Sequence, residues 1–443
     1  MTRFPDDFLW GVSTASYQIE GAVREDGRGT SIWDTFSHTP GRVANGDTGD
    51  VACDHYHRYR EDIALMAELG VDAYRFSTAW PRIQPSGRGA PNGPGLDFYE
   101  RLVDGLLDAG IQPWLCLYHW DLPQSLEDRE GWRNRDTAHR FAEYAFHVHA
   151  RLGDRVRHFV PFNEPAVFTI LGYGEGIHAP GVRSREALFE AMHHVNLAHG
   201  EAVRVLRGED DTLSIGAINA LNPLHPVTDD ERDIQAADYA DALNNRAHAD
   251  PMFLGHYPAP LAREFANLIE PDDMGIIHQR LDFFGLNHYN RSRIRHDPGA
   301  RFGYRFESPA PGKPTTGMGW EISPESFHEQ LLDIHQRYNA PPIYVTENGA
   351  GFEETPGPDG MVDDGRRVSY LGNYLAAMAD AMAQGADVRG YFVWSLLDNF
   401  EWSLGYAKRF GLVHVDYASR TRTPKRSFRF YQEVVANHRL PRG

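Results

Sequence analysis

Cysteine is almost missing from this chain: Cys53 and Cys116 are the only two among 443 residues. Two thiols cannot build a disulfide framework or a Cys-rich metal site, and so few of them fit a reducing cytoplasm. Positive charge is also short. Forty-four Lys and Arg face 62 Asp and Glu, for a net charge of −18 at pH 7. Such a chain repels phosphate backbones and anionic lipid headgroups, which argues against nucleic acid or a membrane surface as partner. Long apolar runs are missing too, since no stretch nears the roughly 18 residues that a membrane helix needs. The opening MTRFPDDFLWGVSTASYQIEGA has one early Arg and then two Asp, without the basic-then-apolar order of a secretory signal. The expectation is a soluble, cytoplasmic protein. Linkers rich in Ser, Gly or Pro and internal repeats are absent as well, so residues 1–443 read as one domain.

What is present is ordinary globular material, 41% hydrophobic and 24% charged, which leaves no room for a disordered or fibrous chain. Its organisation is rhythmic. Short stretches rich in β-branched and aromatic residues recur, with amphipathic helical patterns between most of them. They are FLWGVSTA (8–15), DAYRFST (72–78), PWLCLYHW (113–120), RHFVPFNE (157–164), LSIGAINA (213–220), DFFGLNHY (282–289), PIYVTENG (342–349) and RGYFVWSL (389–396). Runs apolar along nearly their whole length suit strands covered on both faces. In the connecting segment 56–70, Ile63, Met66, Ala67 and Gly70 fall on one helical face, and Gly70 can end the helix. Eight such units predict an α/β fold, a single (β/α)8 TIM barrel with long βα loops. A minimal barrel takes ~250 residues, so the surplus is expected in segments 165–212, 221–281 and 290–341. An open doubly wound sheet is the alternative, disfavoured because no GxGxxG turn follows the first strand.

This fold keeps its active sites at the C-terminal ends of the strands. Nearly every candidate strand ends there in polar or aromatic groups: Gln18 and Glu20, Arg75, His119, Trp120 and Asp121, Asn163 and Glu164, Asn219, Asn287, His288 and Tyr289, Glu347 and Asn348, and Trp394. Any one of these could be a loop or capping residue; together they argue for a site. Two carboxyls stand out. Glu164 in VPFNEP and Glu347 in YVTENG close the fourth and seventh strands, and so face each other across the mouth. Paired carboxyls flanking a bond are what glycoside hydrolysis requires, one protonating the leaving oxygen and the other attacking or activating water. Each could instead cap a helix or pair with an arginine. Trp33, Trp80, Trp120, Trp320, Trp394 and Trp402 lie in or near the strand ends and loops, and an indole face suits the C–H face of a pyranose. Among 22 histidines no HEXXH occurs, and the pairs His55/His57, His147/His149 and His193/His194 cannot share a helical face, so they read as surface or satisfied. P-loop, GxSxG and PLP-type lysine contexts are absent.

From FLWGVSTASYQIEGA near the start to KRFGLVHVDY and RTPKRSFRFY near the end, the chain resembles glycoside hydrolase family 1, the β-glucosidase family. FNEP, TENGAG and DNFEWSLGY carry the resemblance most specifically. It implies a retaining β-glucosidase acting on small β-glucosides and cello-oligosaccharides without cofactor or metal, with β-galactosides and β-fucosides as side substrates. Glu164 would be the acid/base and Glu347 the nucleophile, about 5–5.5 Å apart. Gln18, His119, Asn163, Glu401 and Trp402 would bond the hydroxyls of the glycone, above Trp394, with Trp120 beside them. Asn163 would reach the 2-hydroxyl. Asn287 and Tyr289 would lie beside Glu347, and Tyr289 with Arg75 would hold it ionised. Trp320 would line the leaving-group side. Glu401 argues against phospho-sugar branches, and Glu164 against thioglucosidases that lack the acid. One departure stands out: the family often reads NEPW, but Ala166 follows Pro165 here, which leaves aglycone preference open. A metal-dependent barrel hydrolase and a non-catalytic sugar-binding barrel are the competing classes. The first would lose activity to a chelator, and the second would lack a catalytic carboxyl.

Overall fold

The computed structural model describes residues 3–338, 341–358 and 360–441, so residues 339 and 340 of the expected 290–341 segment lie outside it. Eight parallel strands close into a barrel in chain order: β1 (Leu9–Ser13), β2 (Ala73–Ser77), β3 (Gln112–Tyr118), β4 (His158–Phe162), β5 (Ser214–Ala220), β6 (Phe283–Asn287), β7 (Ile343–Asn348) and β8 (Val388–Trp394). Closure comes from β1 pairing with both β2 and β8, with Leu9 opposite Gly390 and Gly11 opposite Ala73. Each strand overlaps one of the eight apolar stretches, because a strand covered on both faces must be apolar on both. The open-sheet alternative is thereby excluded.

Outer helices alternate with the strands. Among them are α1 (His55–Leu69), α2 (Gly93–Asp108), α3 (Asp136–Leu152), α4 (Arg185–Glu209), α5 (Ala247–Leu254), α6 (Pro324–Tyr338), α7 (Gly365–Ala383) and α8 (Arg426–Asn437). Gly70 ends α1 in the left-handed region at φ 80°, its N–H donating to Met66 O at 3.0 Å. The inner face of α1 is Tyr56, Tyr59, Ile63, Met66 and Leu69, whereas Ala67 is exposed, a shift of the expected stripe by part of a turn. Segment 165–212 is less a loop than a helix, since α4 occupies 25 of its residues. Segments 221–281 and 290–341 do carry extra elements, including a small sheet of Leu224–Pro226, Ser292–His296 and Tyr304–Glu307.

The lower barrel interior is aromatic. Trp114 stacks on His158 with centroids 4.2 Å apart and planes within 5°, and touches Tyr344, Phe283 and Phe392 at 4.8, 5.1 and 5.2 Å. Such rings fit only because neighbouring strands yield space. A Cβ on Gly11 would lie 2.2 Å from the Phe392 ring that faces it across β1 and β8. Trp114 is 2% exposed, so Trp114→Ala should cost about 3–5 kcal/mol, the usual loss for a buried aromatic. Thermal or urea unfolding measures this; a melting temperature unchanged from the parent would refute the plug.

Candidate active site

The two carboxyls meet at the top of the barrel by different routes. Glu347 is part of β7, held by its ladder opposite Asn287. Glu164 lies two residues beyond β4, where Asn163 N–H donates to Tyr118 O at 3.0 Å and Glu164 N–H to Ile218 O at 3.2 Å. Its backbone is left-handed, φ 49° and ψ 61°, just before Pro165 opens a short helix. A non-glycine residue in that region is held there by its surroundings, and such positions gather at functional sites.

A continuous hydrogen-bond chain joins the pair. Arg75 Nη1 donates to Glu347 Oε1 at 2.6 Å, and Tyr289 OH donates to Glu347 Oε2 at 2.6 Å. Arg75 Nη2 donates to Asn163 Oδ1 at 2.5 Å, and Asn287 Nδ2 donates to the same oxygen at 3.0 Å. That same Asn287 nitrogen reaches Glu164 Oε1 at 2.7 Å, while Thr346 Oγ1 donates to Asn287 Oδ1 at 2.7 Å and orients the amide. Asn287 therefore sits opposite Glu347 in register, where it helps oppose the rise in that carboxyl's proton affinity, and it also donates to Glu164.

Charge is divided unequally along this chain. Burial, then the nearby charge of Glu347, pushes Glu164 up to about 8. Burial raises Glu347 as well, but Arg75 and Tyr289 oppose it. One carboxyl holds a guanidinium and a phenol, the other only a neutral amide, so the shared proton resides on Glu164. Tyr289 remains a donor because burial and Glu347 lift its phenol well above the usual value. A third carboxyl, Glu401, is pushed up to about 8 by burial and by Glu347, and has no hydrogen-bond partner among the described residues.

The cavity above them is about 260 Å³, walled by His119, Trp120, Glu164, Tyr289, Trp320, Glu347, Trp394, Glu401 and Trp402. Gln18, Arg75, Asn163 and Asn287 are fully buried around it. Among the described residues three polar atoms there have no partner, the first being Arg75 Nε. Burial, with Arg75, keeps His119 neutral; its Nε2 faces the Asn163 amide at 3.1 Å, leaving Nδ1 unpartnered. Gln18 Nε2 donates to Asn399 Oδ1 and Phe400 O at 3.0 and 2.8 Å, leaving Oε1 unpartnered. Buried polar atoms are rarely left unpaired, so a free donor and a free acceptor mark the place of a polyhydroxylated ligand. Trp402 is packed between Trp120 at 4.5 Å and Trp33 at 4.6 Å, and Trp320 leans on Tyr289 at 5.4 Å.

Not every strand-end residue belongs to the site. Glu20 pairs with Arg82 and Tyr99, Asp121 accepts from Ser16, and Asn348 bonds Tyr391 and the His288 carbonyl, so these three brace the frame. Trp80 is core, stacked on Tyr144 at 5.1 Å, and Trp33 supports Trp402 from behind. His193 is satisfied by Asp273 and Tyr257, whereas His55 bonds Asp62 through Nδ1 only, and its buried Nε2, like both ring nitrogens of His149, has no hydrogen-bond partner among the described residues. Sequence reasoning missed Phe410, Met318, Leu171, His178 and Asn222 on the cavity wall. Phe410 lies inside KRFG and Met318 two residues before Trp320, which were available as signals; Leu171 lies on the helical turn Ile170–Gly174, and His178 and Asn222 lie in loops of no marked pattern. No group of three or more His, Cys, Asp or Glu is arranged to hold a metal among the described residues, nor is any helix long and apolar enough to cross a membrane.

A closed parallel barrel with two carboxyls of unequal proton affinity, ringed by indoles, defines a glycosidase. The chain belongs to glycosyl hydrolase family 1, whose model matches residues 1–440. Beta-glucosidase A of Thermotoga maritima is 46% identical, with 99% of each chain covered. The 1,4-beta-D-glucan glucohydrolase of Thermotoga neapolitana is 45% identical over 99% of this chain and 100% of its own. The solved family 1 b-glucosidase from Thermotoga maritima superposes with a TM-score of 0.96 at 45% identity, both chains fully covered.

The raised affinity of Glu164 has a thermodynamic consequence. Between the unfolded carboxyl value of about 4.3 and about 8, the folded state binds more protons at this group, so its burial costs stability increasingly as pH rises. Glu164→Gln removes that cost. Relative to the parent, the variant should melt progressively higher at pH 8.5 than at pH 5 in differential scanning fluorimetry. A pH-independent difference would contradict the shifted carboxyl.

Proposed function

We propose that the protein is a retaining β-glucosidase that releases terminal β-D-glucosyl units from small β-glucosides and cello-oligosaccharides, residues 1–443 forming one catalytic domain. The observation that carries the reading is the unequal division of charge: Glu347 holds Arg75 and Tyr289, and Glu164 holds the proton. Glu347 attacks the anomeric carbon as the bond to the leaving oxygen breaks, and Glu164 gives that oxygen its proton. The nucleophile is then an ester and carries no charge. With the second-largest cause of its raised affinity gone, Glu164 becomes more acidic and takes a proton from water as water attacks the same carbon. Two inversions give net retention.

The glycone shell follows from the spare atoms. His119 Nδ1 and Gln18 Oε1 supply a donor and an acceptor, and Glu401 supplies a carboxyl without a hydrogen-bond partner among the described residues. Asn163 keeps one amide hydrogen beyond its contact with His119, suited to the 2-hydroxyl. Trp394, 4% exposed, offers its face to the sugar. A 6-phosphate is disfavoured because no Lys or Arg is among the wall residues. Galactosides differ from glucosides in the configuration at C4, and fucosides in addition lack the 6-hydroxyl; both are accepted as weaker substrates. The role in cello-oligosaccharide breakdown, and a cytoplasmic setting, belong to this reading.

Glu347→Gly should abolish hydrolysis of p-nitrophenyl β-glucoside, because no other group can form the ester. Azide should restore turnover and yield the α-glucosyl azide, read by NMR; a β-product would remove Glu347 from the nucleophile role.

Glu164→Gln separates leaving groups. Cellobiose, whose leaving alcohol needs a proton, should lose ~10²–10⁴-fold in kcat/KM, the scale of lost general acid catalysis. A dinitrophenyl glucoside should keep its first step and show a burst. Equal losses on both substrates would refute the assignment.

A further inference from the structure

Beside the carboxyl cavity lies a larger one of about 900 Å³. Val167, Leu171, Ala220, Asn222, Asn290 and Trp320 form walls of both, so the outer space continues the inner one. A molecule held by its sugar inside extends its other half here. The small side chain of Ala166, on the outer wall, leaves that path wide.

The outer cavity has two characters. One is aromatic: Phe302, Tyr304 and Phe306 line it, and Phe306 stands 52% exposed with its ring edge-on to Tyr304 at 5.7 Å. An exposed ring on a cavity wall is a platform for a planar partner. The other is charge. Its three carboxylates are already matched: Glu321 by Arg291 at 2.7 Å, Glu307 by Arg295 at 2.7 Å and Arg305 at 3.0 Å, and Glu175 by Arg301 at 4.0 Å. Two wall guanidiniums are not. Arg293 reaches only the Ser308 carbonyl, at 3.4 Å, and Arg183 has no ion-pair partner among the described residues. Unmatched cations here run against the net charge of −18.

We propose that this cleft selects β-glucosides whose aglycone is an aromatic ring bearing a carboxylate, the ring against its aromatic wall and the carboxylate drawn by Arg183 and Arg293. A neutral sugar aglycone leaves both guanidiniums without a counter-charge. The selection rests on the β-glucosidase reading and adds to it the class of aglycone.

The test compares the β-glucosides of 4-methylumbelliferone and of 7-hydroxycoumarin-3-carboxylate, two coumarin phenols that differ chiefly in charge. On the parent, kcat/KM for the carboxylate substrate should exceed that for the neutral one by about three- to tenfold at low salt, the scale of two partly exposed ion pairs. The ratio should fall toward one in 0.5 M NaCl and in the Arg183→Gln/Arg293→Gln double variant, with each single variant between. Because each measurement is a ratio on one preparation, a partly misfolded variant does not distort it. Equal kcat/KM on the parent, or a ratio insensitive to both salt and variant, overturns the aglycone proposal alone. Cleavage of neither substrate overturns the glucosidase reading and this proposal with it.

Discussion

The site depends on one buried cation. Arg75 is 1% exposed inside a barrel strand, where an unpaired guanidinium would be severely disfavoured. Its two terminal nitrogens settle on Glu347 and on Asn163, and the Asn163 oxygen then fixes Asn287, which in turn fixes Glu164. Desolvation makes each contact strong and makes any missing one expensive. Two carboxyls on strands four and seven are thus positioned by a single charge on strand two.

The same chain produces the asymmetry that chemistry needs. A pair of equivalent buried carboxyls would share one proton without preference. Here the cation and the Tyr289 phenol stand on one side, so the pair is resolved into a charged and a neutral member before substrate arrives. Glu401 adds a third acidic group beside Glu347, and the crowding of three buried carboxyls opposes folding at high pH. Stability of this kind is surrendered at functional sites and recovered elsewhere. In this molecule the aromatic plug around Trp114 and the closed strand ladder lie on the other side of the balance.

Above the carboxyls the barrel loops sort two kinds of surface. The inner wall is polar and indole-rich, with spare hydrogen-bonding atoms on His119 and Gln18. The outer wall is aromatic and cationic, with its carboxylates internally matched. Sugar and leaving group therefore meet different chemistry on the two sides of the reacting bond. Glycone recognition is built on strand ends, whereas the outer wall is built on loops and a small sheet, elements free to vary without disturbing the barrel.

The sequence by itself determined the eight strands, their parallel closure and the two carboxyls at strands four and seven, because strand periodicity and strand-end position are local properties of the chain. The FNEP, TENG and FEW segments also carried Glu164, Glu347 and Glu401 as residues. Only the tertiary structure decided that Asn287 reaches Glu164 as well as Glu347, that Trp80 belongs to the core, and that Glu20 and Asp121 brace the frame. It alone brought Phe410 and Met318 to the cavity wall and left Arg183 and Arg293 without carboxylate partners among the described residues. Those outcomes depend on which residues, far apart in sequence, come within a hydrogen bond of one another. Periodicity fixes which face a side chain takes, but its partner is fixed only when the barrel closes and the loops fold over its mouth.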